Sequence, residues 1–276
     1  MPDSNETERH APNDPVVHQP RLNVAIEAGI GRVTLARPDG ANAIDLEFAK
    51  EFEAAAQTCL ESHVRVVLIS AQGRHFCAGG DVKAFVDQPD LPHYLEEVTK
   101  HLHAGIVAFV EMDAPVVVVV QGSAAGAGIG LSAAADIVIA GTSAKFVMAY
   151  TAIGLTPDGS SSWFLPRHVG LRRALDLTLS NRVLSAEEAL AWGLVSRVVA
   201  NEMLTAEAEQ LVAQLAAGPT AAYGAAARLL RAAGDNTLRS HLEAEAASIV
   251  QHSRSADGVE GILAFTEQRP SKFIGL

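Results

Sequence analysis

The stretch QGSAAGAGIGLSAAADI, Gln121–Ile137, sets Gly126, Gly128 and Gly130 at alternate positions and carries no acid or base from Gln121 to Ala135. A dinucleotide cradle needs G-x-G-x-x-G and an acid about 20 residues on. Here the spacing is G-x-G-x-G, and Lys145–Tyr150 holds no acid. The Lys-Ser/Thr pair of a P-loop is also missing. Two readings remain. The small residues let a helix start pack tightly on a sheet, or they let a ligand oxygen reach free backbone N–H groups at a helix N-terminus. The second arrangement is an oxyanion hole, which needs no acidic side chain in the loop.

A second stretch repeats the design. GRHFCAGGDVKAF, Gly73–Phe85, follows the apolar run VRVVLISA and leads into a helix. Two such loops side by side each supply one N–H to the same oxygen. Asp81 reads as the cap of the helix that follows. Cys77 invites a nucleophile reading but has no evident base partner, so it reads as a small packed residue. His75 reads as a loop surface histidine.

The elements that must hold these loops follow from pattern. Residues 1–20 are polar, with four prolines, and are expected to be a disordered tail. LNVAIEAGIGRVTLARP reads as a hairpin. IDLEFAKEFEAAAQTCLES has helical periodicity with Asp45 as its cap. VRVVLISA, APVVVVVQG and DIVIAG are strand-length apolar runs, and LPHYLEEVTKHLHAGIVAFVEM is a helix between two of them. Strands alternating with helices imply an α/β fold with a mainly parallel sheet. From Ser185 the chain is mostly helical, with a change to all-α composition near residue 205. The net charge of -11 argues against nucleic-acid or anionic-membrane partners. No apolar run reaches the roughly 18–20 residues of a membrane span, and no signal sequence opens the chain, so a cytoplasmic location is expected. Two cysteines without ligand spacing give no disulfide framework and no expected metal or redox cofactor.

The two glycine stretches together resemble the enoyl-CoA hydratase/isomerase (crotonase) family. Its F-x-A-G-x-D-[ILV] pattern is matched by Phe76, Ala78, Gly79, Asp81 and Val82. Its x-G-x-A-x-G-x-G…D-[ILV] pattern is matched by Gly122, Ala124, Gly126, Gly128, Asp136 and Ile137. ARPDGANAID, ending at Asp45, and LSAEEALAWGLVSRVV, Leu184–Val199, match further, and the likeness runs from about Leu22 to Ile274. It implies a crotonase-like spiral of β-β-α turns over residues 21–205. A C-terminal helical oligomerisation region is implied over 206–276, with assembly as a homotrimer or a dimer of trimers. It implies an acyl-CoA thioester as substrate and no separate cofactor. The thioester carbonyl would sit between the backbone N–H groups of Ala78 and Ala127; the second is usually glycine in the family, but alanine keeps the donor. Substrate contacts are implied at Ala43, Gly80, Asp81, Val82, Gly126, Gly130 and Tyr150. Lys83 is either a contact for CoA phosphates or adenine, or a solvated lysine. Lys272 lies where the family places a basic tail that reaches CoA.

Family hydratases split water with two glutamates, and a gapless alignment puts these on Gly130 and Tyr150. Both carboxylates are missing, and a tyrosine with a reference pKa near 10 is a poor base. Asp158 stands eight residues after Tyr150, in TPDGSSSWFL. It resembles the acid of the family's dienoyl-CoA isomerases and of the ring-opening isomerase of phenylacetate breakdown. Those enzymes shuttle a proton between carbons. Locally, Asp158 also reads as a helix N-cap before Ser160, Ser161 and Ser162, and base and cap compete for the same oxygens. As a base it is expected in an apolar pocket. The leading expectation is an isomerase that shifts a C=C bond through an enolate. A hydratase, another crotonase-type lyase and a non-catalytic acyl-CoA binder are the alternatives. RNA binding, found in some relatives, fits the acidic balance poorly.

Overall fold

The computed structural model describes residues 19–276, so the expected tail lies outside the described residues up to residue 18. An antiparallel hairpin opens the fold, β1 (Leu22–Glu27) and β2 (Ile30–Leu35), turned through Ala28 and Gly29 at positive φ. Asp45 caps α1 (Leu46–Glu61) by accepting the Phe48 N–H at 2.8 Å, as its position predicts. Next come β3 (Val66–Ala71), the short α2 (Val82–Val86) and α3 (Leu91–Glu111). β4 (Val116–Val120), β5 (Ser123–Ala125) and α4 (Ala127–Ala133) form one β-β-α turn. β6 (Ile137–Gly141) and β7 (Lys145–Val147) begin the next, which is completed by α5 (Ser161–Val169). α6 (Leu171–Ser180), β8 (Leu184–Ser185), α7 (Ala186–Trp192) and β9 (Arg197–Val199) follow. Four helices close the chain: α8 (Leu204–Ala216), α9 (Thr220–Ala232), α10 (Leu238–His252) and α11 (Ala256–Thr266).

Six strands pair in the order β1-β2-β3-β4-β6-β9, antiparallel only at β1–β2, and β5-β7-β8 make a second, smaller sheet. The α/β class and the β-β-α repeat are those expected. The valine run explains the large sheet. Side chains alternate faces along a strand. Val116, Val118 and Val120 enter a core with Phe48, Phe52 and Phe76, and Val117 and Val119 enter another with Leu204, Leu211 and Val212 of α8. Burial on both faces needs a continuous apolar run, and each buried valine contributes on the order of 1.5–3 kcal/mol. Between the sheets the chain turns at Gly122, where any Cβ would overlap the Arg74 carbonyl oxygen. Both loops of interest therefore emerge at the C-terminal ends of neighbouring parallel strands, β3 and β4.

Candidate active site

Two glycines at positive φ bring the loops into contact. Gly79 (φ 85) and Gly126 (φ 51) abut: a Cβ built on Gly79 would lie 2.8 Å from the Ala125 carbonyl oxygen and 3.5 Å from Gly126 Cα. Only glycine tolerates both that conformation and that approach. The Ala125 N–H donates to the Cys77 carbonyl at 2.9 Å and locks the loops together. Each glycine is followed by an N–H with no acceptor among the described residues. At Ala127 the cause is its place in the first turn of α4, which has no preceding carbonyl to bond. At Gly80 the bridge to Ile44 uses the flanking groups, the Gly79 carbonyl at 2.8 Å and the Asp81 N–H at 2.9 Å, and leaves the Gly80 N–H outside the pairing.

This corrects one expected donor. The Ala78 N–H donates to the Ala41 carbonyl at 3.0 Å, so it is spent on holding the Arg37–Asp45 turn. The free pair is Gly80 and Ala127. Phe85 lies over Gly80, where a Cβ would meet its ring edge at 2.7 Å, and sequence reasoning did not find it.

Charge holds α2 in place. Asp81 caps it through the Ala84 N–H at 3.2 Å and pairs with Arg37, which also reaches Asp45 at 2.7 Å. Burial pushes the Asp81 carboxyl up, but the Arg37 and backbone hydrogen bonds outweigh it and hold the group below its usual range. Ala43 is buried beneath this turn, whereas Val82 and Lys83 are exposed on α2. Lys83 has no acidic partner among the described residues, which leaves its ammonium open to a ligand. Cys77 is fully buried and its thiol is pushed up to about 12, so it packs and does not attack. Lys272 is not near: Arg65, at the opposite end of β3, bonds the carbonyl of the adjacent Phe273 at 3.3 Å.

The Asp158 loop lies on the start of α4. A Cβ on Gly159 would lie 3.0 Å from that of Ala127, and any Cβ on Gly130 would overlap the Gly159 carbonyl oxygen. The Asp158 carbonyl accepts the Tyr150 hydroxyl at 2.9 Å and the Ser161 hydroxyl at 2.6 Å. Tyr150 is thus a neutral donor that fixes the loop; burial, and then the Asp158 charge, push its hydroxyl above the usual range. Asp158 does not cap α5, whose N-cap is Ser160 with no side-chain bond. Gly159 and Ser160 both take positive φ and turn the carboxylate away from α5. It meets His103 Nε2 of α3 at 2.6 Å. The Asp158 side chain is a third exposed and faces an imidazole, not the apolar pocket expected. His103 was missed because the pairing spans 55 residues and nothing in KHLHAG marks it.

Two free N–H groups suit a carbonyl compound that gains negative charge on oxygen, and the loop that carries Asp158 packs on the helix that carries one of them. The family model of enoyl-CoA hydratase/isomerase matches residues 25–275. The chain belongs to the enoyl-CoA hydratase/isomerase family. It is similar to the 1,2-epoxyphenylacetyl-CoA isomerase of Escherichia coli K12, at 38% identity over 91% of this chain and 97% of the relative. It is similar at 30% identity, over 83% of this chain and 84% of the relative, to 4-chlorobenzoyl coenzyme A dehalogenase-2 of Arthrobacter sp. Among solved structures, an enoyl-CoA hydratase from Polaromonas sp. JS666 superimposes with a TM-score of 0.86 at 31% identity, covering 91% of this chain and 99% of that one. The chain is an acyl-CoA enzyme of the hydratase/isomerase family, and Gly130 and Tyr150, where the resemblance implied glutamates, carry no carboxylate.

Proposed function

We propose that this enzyme shifts a C=C bond of an enoyl-CoA thioester by proton transfer, with Asp158 as the acid/base. The observation that supports this reading is the seating of the Asp158 loop against Ala127 and Gly130, which brings the segment that carries this carboxylate onto the helix that carries one of the free N–H groups. Asp158 takes the proton from the carbon next to the thioester. The electron pair moves into an enolate whose oxygen is held by the Gly80 and Ala127 N–H groups. The proton then returns to the far end of the allylic system. Each such donor contributes on the order of 10²–10³ in rate. Val82, Lys83 and Ala43 line the way in for the CoA portion. The direct test is conversion of 3-hexenoyl-CoA to 2-hexenoyl-CoA by the purified enzyme; no conversion would overturn the reading.

Hydration is expected to be weak. Gly130 and Tyr150 carry no carboxylate, and each missing acid/base costs on the order of 10²–10⁴-fold. Loss of crotonyl-CoA absorbance, followed at neutral pH, should run far below that of an ordinary hydratase. A fast hydration rate would refute the role given to these two positions.

Assembly is expected as a trimer or a pair of trimers. α10 has no buried residue, and Leu230, Ile249, Ile262 and Phe265 stand more than half exposed on the C-terminal helices. Apolar surface of that extent marks an interface. Light scattering at micromolar concentration should give three or six chains; a monomer would contradict it.

A further inference from the structure

The isomerase reading makes no use of the Asp158–His103 contact. One Asp158 oxygen faces His103 Nε2 at 2.6 Å, and the other has no partner among the described residues. The carboxylate is therefore aimed: one oxygen is tethered to α3 and the second is left for a substrate proton. The imidazole is half exposed, and its Nδ1 has no partner among the described residues. The other titratable groups nearby are engaged elsewhere. His101 turns to Glu53 of α1 at 2.5 Å, Lys100 reaches Glu97 at 3.4 Å, and the Tyr150 hydroxyl is spent on the Asp158 carbonyl. The carboxylate thus contacts an imidazole that reaches the surface.

We propose that His103 relays to solvent the proton that Asp158 removes from substrate, so that the hydrogen delivered to the second carbon comes from water. The proposal rests on Asp158 being the base. The free oxygen takes the C–H proton, and the C–H electron pair goes into the enolate. Rotation about Cβ–Cγ presents the new O–H to the neutral ring. At rest Nε2–H donates to the ionised carboxylate; once Asp158 is protonated, water moves the ring hydrogen from Nε2 to Nδ1, Nε2 accepts the Asp158 proton and the Nδ1 proton leaves to water, so the ring ends neutral with Nε2–H and the carboxylate ends ionised. The reverse sequence delivers a water proton to the far carbon. His103 is a positioning residue with a relay role, since it touches Asp158 and not the reacting atoms.

The experiment runs wild type, His103→Gln, His103→Asn and Asp158→Asn in D₂O with 3-hexenoyl-CoA, and reads deuterium in the 2-hexenoyl-CoA formed. Wild-type product should carry solvent deuterium at the far carbon in most molecules. The two His103 variants should turn over more slowly, and a much smaller fraction of their product than of the wild-type product should carry deuterium. A purely structural histidine would lower the rate and leave the label unchanged; that result overturns the proposal, as does unlabelled product from wild type. A second arm follows solvent exchange of the α-hydrogens of phenylacetyl-CoA, which needs no isomerisation. If wild type fails to isomerise but exchanges, the isomerase reading falls while this arm still decides: slower exchange in both His103 variants supports the relay, and equal exchange overturns it. Absence of exchange in wild type overturns the relay as well.

Discussion

Asp158→Asn is expected to lower conversion of 3-hexenoyl-CoA to 2-hexenoyl-CoA by at least about 10²-fold, the low end for loss of a positioned acid/base. The amide keeps the size of the side chain and a hydrogen bond to His103, and it cannot take a proton from carbon. The loop itself should stay in place, because Tyr150 and Ser161 hold the Asp158 main-chain carbonyl and not its carboxylate. Melting temperature and affinity for a saturated acyl-CoA should therefore change little. Asp158→Ala adds a discriminating measurement. A lost N-cap would cost about 1 kcal/mol. Asp158 does not cap α5, and its contact with a half-exposed histidine is worth roughly 0–1 kcal/mol. Alanine and asparagine variants should thus melt close together. Turnover near wild type in the asparagine variant would remove Asp158 from the chemistry.

Gly130→Ala should cost both stability and rate. The added methyl would overlap the Gly159 carbonyl oxygen and lie 3.2 Å from the Ser161 nitrogen, so main chain has to move. Overpacking costs about 1–3 kcal/mol when side chains yield, and backbone yields less readily. For a chain of this size that is a drop of roughly 2–12 °C in melting temperature. The displaced segment carries Asp158, so kcat/KM should fall by at least about tenfold, in line with the sensitivity of catalysis to small misplacements. Gly234→Ala is the control, since nothing lies within 4 Å of its Cβ position; it should melt within about 0.5 kcal/mol of wild type. The same geometry bears on hydration. Gly130→Glu should not create a hydratase, because the space for that side chain is already filled by the loop that positions Asp158. A folded Gly130→Glu enzyme that hydrates crotonyl-CoA rapidly would show that the loop swings aside.

Much of the fold is visible in the chain as letters. The two-sided burial of β3 and β4 requires unbroken apolar runs, and the caps Asp45 and Asp81 announce the helices they begin. The small sheet is not visible, because β5, β7 and β8 are two or three residues long and too short to show a period. In the site, glycine spacing located both loops but could not say which N–H in each was free. That depends on the Ala41 carbonyl taking the Ala78 N–H, a contact across 37 residues of folded chain that no local pattern encodes. The cap reading of Asp158 failed for a local reason. It assumed ordinary backbone after the aspartate, whereas Gly159 and Ser160 both lie at positive φ. His103 sits one residue after the buried Leu102, where periodicity marks only the flank of a helix.

The donors at Gly80 and Ala127 are main-chain atoms. A genetic screen that truncates side chains would therefore pass over them: one has no side chain to remove and the other is alanine already. Such a screen would register Asp158 and the tightly packed glycines around it, and leave the two donors unmarked. Replacing the amide with an ester at either residue, by semisynthesis, would delete the hydrogen while keeping the shape. Only that kind of edit reads how much of the rate is written in the backbone.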